Sequence, residues 1–185
     1  MRYAGFWLRF AAFWIDFLIM SPLFVLVIWG AEQFRLFNVY YFLPGTLFSF
    51  FYGVYLVRRF GGTPGKRLMK VRIAKVNGDP VTYREAILRY LPEWLIGIGS
   101  SLAGMLAVLS LTDAQYFAPA SFLDRSRLVQ SAMPSWNGLA TIALQIWIWS
   151  EFIIMLTNKK RRAIHDFIAG TVVIKDTQPV NTADR

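Results

Sequence analysis

The sequence predicts an all-α transmembrane bundle of four spans, with a small cytoplasmic β element and interfacial helices. Three observations predict it. The chain is 56% hydrophobic and 17% aromatic over 185 residues, too apolar for a water-soluble domain of this size. Four stretches reach the roughly 20 apolar residues that a bilayer crossing needs. Seventeen of the 20 Lys and Arg residues then fall into segments that those four spans place on one side.

The first span is read over Ala4–Gly30 as retained rather than as a cleaved leader, since it is long and interrupted by charge. The second runs over Asn38–Val57. The third, Glu93–Leu111, is rich in small residues that suit close helix packing. The fourth is Trp136–Leu156. Nine basic residues lie between spans two and three, six follow span four and two precede or open span one; Arg35, Arg125 and Arg127 fall opposite. The positive-inside rule therefore makes both termini and the middle loop cytoplasmic. Residues 1–176 are read as one membrane domain and 177–185 as a flexible polar tail.

The middle loop has structure of its own. Val71–Val76 alternates in character and is followed by Asn77-Gly78, a strong turn signal. Thr82 and Glu85 form a capping-box pattern that starts a helix. Its apolar Ile87, Leu88 and Leu91, with Arg84 and Arg89 reaching headgroups, predict an interfacial helix that Pro92 separates from span three. Beyond span four, Ala163–Ala169 suits a short helix ended by Gly170, and Thr171–Ile174 is a β-branched partner for Val71–Val76. In the outer loop a short helix is expected around Asp124–Ser131.

Composition also excludes chemistry. There is no Cys and one His, His165, so a thiol nucleophile, a thiolate metal site and a His-rich metal site are ruled out. Gly65-Lys66 resembles the end of a phosphate-binding loop, but Phe60 and Arg67 stand where Gly and Ser or Thr are required. No cofactor, no metal, no nucleic acid and no enzymatic activity are expected. The net charge of +9 instead suits anionic lipid headgroups at the bilayer surface.

The candidate site residues are polar groups inside the spans, where an ionisable side chain is functional or paired by default. Asp16 falls near the middle of span one, Ser49 of span two and Gln145 of span four. Facing one another, they make a proton- or cation-binding set. Arg9, Asp166, Glu93 and Glu151 form a second layer nearer the cytoplasm. Arg9 and Asp16 are seven residues apart, which puts them on one helix face but about 10 Å apart along the axis. Arg9 is therefore expected to meet Asp166, Glu93 or Glu151, leaving Asp16 with neutral partners. Two readings of each group stand: Asp16 as an exchange site or as a hydrogen-bonded packing residue, and Arg9 with Asp166 as a gate or as a brace. Four helices leave little room for a pathway in one subunit, so a homodimer packed through span three is expected.

Three motifs carry a resemblance. Arg9 and Asp16 in the first span, Gly62-Thr-Pro-Gly-Lys-Arg67 after the second, and His165-Asp-Phe-Ile-Ala-Gly-Thr171 at the close resemble the RDD family of bacterial membrane proteins. That family is named for one arginine and two aspartates, which match Arg9, Asp16 and Asp166. Thr63, Pro64, Gly65 and Lys66 match the loop motif, and Gly170 and Thr171 the last one. The likeness covers roughly residues 3–82 and 159–175, and residues 93–158 carry nothing that matches. It implies a multi-pass protein of the bacterial inner membrane and a transport role, sodium/proton exchange having been proposed for some members. The competing expectation is a non-transporting scaffold or accessory subunit that recruits a cytoplasmic partner.

Overall fold

The computed structural model describes residues 1–176; the loose tail expected over 177–185 lies outside the described residues. Four helices are long and apolar enough to cross a membrane. The first, α1, is Phe6–Gln33. Its 28 residues span about 42 Å, more than the roughly 30 Å of a hydrocarbon core. The second crossing begins with α2, Phe37–Phe50, passes through a π-helical turn at Phe51–Tyr55 and ends in α3, Leu56–Phe60. The third is α5, Tyr83–Ser110, and the fourth is α8, Asn137–Thr157. Large apolar side chains stand exposed along them, such as Leu18 and Val25 at 65% and Leu139 at 72%. Water would not tolerate such a surface, and lipid tails favour it.

The interfacial helix expected to stop at Pro92 does not stop there. Tyr83–Ser110 is one helix with Pro92 inside it. Proline deletes one backbone donor and crowds the preceding turn, but membrane helices absorb it by local adjustment. Pro22 and Pro44 lie inside α1 and α2 in the same way. The capping box does form: the Thr82 amide and hydroxyl both donate to Glu85 Oε2, at 2.7 and 2.5 Å.

The chain divides into two compact units, each built from separated stretches. One takes Met1–Ile19, Phe51–Tyr90 and the chain from Ser150 on. It contains the sheet, in which β1 (Val71–Lys75) pairs antiparallel with β2 (Thr171–Lys175), Ile73 opposite Val173. The N-terminus adds to the free edge: the Ala4 amide donates to Val173 O and the Lys175 amide to Arg2 O, both at 2.9 Å. Ala74, Val172 and Ile174 form a buried cluster with Tyr3 and Val76 packed on it. Each fully buried Val or Ile contributes about 1.5–3 kcal/mol, which is what a two-stranded ribbon needs to persist. Two short helices complete this unit, α4 (Pro64–Leu68) and α9 (Ile164–Ile168).

The second unit takes Met20–Phe50 and Leu91–Trp149. Its loop holds α6 (Asp113–Phe117), with a Thr112/Gln115 capping box, and α7 (Phe122–Ser131), capped by Ser121. Arg35 organises it. Arg35 Nη1 donates to Val108 O and Leu111 O, each at 2.8 Å, and Nε meets Asp113. A cation at the C-terminus of α5 satisfies carbonyls that the helix leaves open. The Tyr116 hydroxyl donates to Ala31 O at 2.8 Å, so the end of α1 and α6 are tied together as well.

Between α3 and α4 the chain turns at Gly61, with φ +74° and its amide donating to Val57 O. A side chain there is disfavoured by the left-handed backbone, costing about 1 kcal/mol or more. A Cβ would meet Arg72 only at an ordinary 3.4 Å, so the cost is conformational. Gly61→Ala is expected to lower stability by about 1 kcal/mol, read as an earlier thermal transition by circular dichroism in detergent; an unchanged transition would count against the turn as drawn.

Candidate functional site

Two carboxylates organise the polar interior of the first unit, and they are solved differently. The first, Asp166, is fully buried. It sits at the third position of α9, where its Oδ2 accepts the Ala163 amide at 3.1 Å. Arg9 Nη1 of α1 donates to the same oxygen at 2.8 Å. Arg89 Nη1 of α5 donates to Oδ1, and the Thr171 hydroxyl of β2 reaches Oδ1 at 3.0 Å. Arg162 Nη2 takes the Asp166 backbone carbonyl at 2.7 Å. Two helices, a strand and a cap thus converge on one side chain.

A carboxylate cannot be taken out of water cheaply unless cations and donors replace its hydration. Burial by itself would raise the Asp166 pKa; Arg89, then His165 and Arg9, outweigh it and hold the carboxyl far below the usual carboxylate range. Beside this pair, Glu151 Oε1 accepts the His165 amide at 3.0 Å, and Oε2 meets His165 Nδ1. Burial first, and then the charge of Arg89, push His165 below the ordinary imidazole value against the pull of Glu151 and Asp166. The cluster thus gathers two guanidiniums, of Arg9 and Arg89, and two carboxyl groups, of Asp166 and Glu151, around one imidazole.

The second carboxylate, Asp16, meets no guanidinium among the hydrogen bonds described. The Tyr52 hydroxyl donates to Oδ1 at 2.6 Å, the Thr63 hydroxyl to Oδ2 at 2.5 Å and the Gly65 amide to Oδ1 at 2.7 Å. Local structure explains each donor. Tyr52 lies in the π turn, whose wider winding re-aims side chains relative to the α turns before it. Thr63 and Gly65 open α4, where amides lack helical acceptors. Gly65 is required: a Cβ there would overlap the Ala12 carbonyl oxygen and stand 2.8 Å from Asp16 Cγ. Lys66 Nζ is 3.5 Å from the Thr63 hydroxyl, so a cation stands one atom removed from the carboxylate.

The other candidates lie as follows. Ser49 turns its hydroxyl back to Thr46 O of its own helix at 2.8 Å. Gln145 is exposed on α8 and Glu93 on α5. Arg9 meets Asp166, and its Nη2 also donates to Arg161 O at 2.7 Å. Four partners were not identified as such beforehand. Arg89, assigned to lipid headgroups, instead lines the Asp166 site. Tyr52 carried no signal, because a π turn breaks helical periodicity. Thr63 and Gly65 were visible only as motif residues. Among the described residues no group of three His, Cys, Asp or Glu side chains could hold a metal ion.

Removing the Asp166 charge isolates the cluster. Asp166→Asn leaves two buried guanidiniums short of their counter-ion and is expected to destabilise the fold by about 3–5 kcal/mol. The pH sign follows from the depressed pKa. The unfolded chain takes up the proton near pH 3.9, the folded chain only well below it. The contribution of Asp166 is therefore complete above about pH 4 and is lost as pH falls further. Melting temperatures of wild type and Asp166→Asn in detergent should differ most at neutral pH, and the gap should begin to narrow only below about pH 4.

The RDD family model matches residues 3–170. No curated protein and no solved structure matches the chain.

Proposed function

The chain belongs to the RDD family, and from that premise we propose that this multi-pass membrane protein exchanges a monovalent cation for a proton at Asp16. The observation that carries the reading is the Asp16 environment: a carboxylate within a membrane-spanning helix, met by two hydroxyls and one amide. Oxygen donors suit hard cations. Rotating their hydrogens away, Tyr52 and Thr63 offer lone pairs to a cation at the carboxylate. Asp166 is a poor exchange site by comparison, since two arginines already neutralise it. In this reading the Asp166 cluster is the brace that holds the site's frame. The basic loops face the cytoplasm with both termini, and a second copy completes the pathway.

A second reading is favoured by a separate observation. The Asp166 cluster joins the sheet, α9 and the starts of α1 and α5, with basic Arg84 and Lys175 exposed on these elements, which suits a scaffold that recruits a soluble partner.

Proteoliposomes loaded with a pH gradient separate the two. Wild type is expected to collapse the gradient on addition of Na⁺, Li⁺ or K⁺, and Asp16→Asn to behave like empty liposomes while keeping a cooperative thermal transition. Tyr52→Phe should raise the half-saturating cation concentration by about tenfold, the worth of one hydroxyl contact to a charged group. If wild type matches empty liposomes for every cation, exchange is wrong. A soluble protein co-migrating with it would then favour the scaffold.

A further inference from the structure

Apart from both carboxylate centres, the first unit holds a cavity of about 490 Å³, within the range of about 300–1,000 Å³ typical of small-ligand sites. Its walls are arginines from three elements: Arg58 and Arg59 of α3, Arg67 of α4 and Arg72 of β1. Ile73 and Val81, both buried, form an apolar floor. Of the described lining residues only Asp176 is acidic, 3.8 Å from Arg72.

The convergence follows from the turn. Gly61 ends α3 in a left-handed conformation, and its carbonyl accepts the Ile73 amide at 2.7 Å. This pins the end of α3 against β1 and brings side chains thirteen residues apart in sequence, those of Arg59 and Arg72, to one cavity. The guanidiniums are held largely by rings. Arg59 and Arg67 stand 5.9 and 5.8 Å from the centre of the Phe60 ring, and Arg58 stands 5.8 Å from that of Tyr83. Ring faces attract a cation without consuming its N–H donors. Arg67 also gives one donor to Phe60 O at 3.0 Å; the rest of its fork remains for a ligand. One carboxylate against four guanidiniums leaves three positive charges to repel each other across a shared space.

We propose that this cavity binds a phosphate-bearing anion, either the head of an acidic phospholipid or a soluble phosphate compound. Planar guanidinium forks match phosphate oxygens in pairs, and the apolar floor accommodates the carbon skeleton beside them.

The test uses the full chain purified in detergent, at constant ionic strength. One arm titrates inorganic pyrophosphate by calorimetry, with sodium chloride as the control. The other compares retention of phosphatidic acid and of phosphatidylcholine by native mass spectrometry. At least one phosphate probe should bind above its control, and the Arg59→Gln/Arg67→Gln double variant should weaken that binding at least about tenfold. Arg84→Gln, outside the cavity, should leave it unchanged. Pyrophosphate binding points to a soluble ligand, and phosphatidic acid binding alone to a lipid. If the double variant fails to melt cooperatively, Arg67→Lys serves instead: it keeps the charge but loses the fork, and weaker binding is again expected. No binding above control, or equal losses in Arg84→Gln and the cavity variants, overturns the site.

Discussion

A carboxylate with no access to water has to be neutralised where it lies, and Asp166 is neutralised from far away in sequence. Arg9 and Arg89 come from the opening turns of α1 and α5, and Thr171 from the first residue of β2. Each would carry a desolvation cost alone; together they satisfy one another. The arrangement fixes the starts of two long helices against α9 and β2. It also places β2 where the N-terminal residues can extend its edge. Directional guanidinium contacts locate these segments in a way that apolar packing would leave free to slide.

Asp16 obeys the same requirement through neutral donors. Tyr52, Thr63 and Gly65 satisfy its oxygens without cancelling its charge. The difference has a chemical consequence. A carboxylate already paired with two arginines can change its proton or cation only by stranding them, whereas hydroxyl donors can turn to follow whichever species is bound. The two aspartates are thus held differently, one by guanidiniums and the other by neutral donors.

The spans were legible because bilayer thickness sets a length that hydropathy reports directly. The sheet was legible because two β-branched runs of similar length were available to pair. Counting charges along the spans left Arg9 with Asp166, Glu93 or Glu151 as partner, and Asp166 is the one it meets. Arg89 escaped because Pro92 was read as a break, which detached an interfacial helix from the span it actually continues. Tyr52 escaped because a π turn shifts side chains off the 3.6-residue period on which facing residues are predicted. Arg35, counted only as an outward charge, organises the carbonyls at the end of α5; a single cation on the sparse side of the membrane gave no hint of that.

One short helix links the two remaining polar features. α4 meets Asp16 at its start, through Thr63 and Gly65, and lines the arginine cavity near its end, through Arg67. It is only five residues long, so Gly65 and Arg67 lie two residues apart within it. An anion that binds differently when Asp16 is protonated or cation-bound must, by linkage, alter the affinity of Asp16 by the same factor. The loop motif therefore does more than satisfy a carboxylate. It supplies two donors to Asp16 and one guanidinium to the arginine cavity.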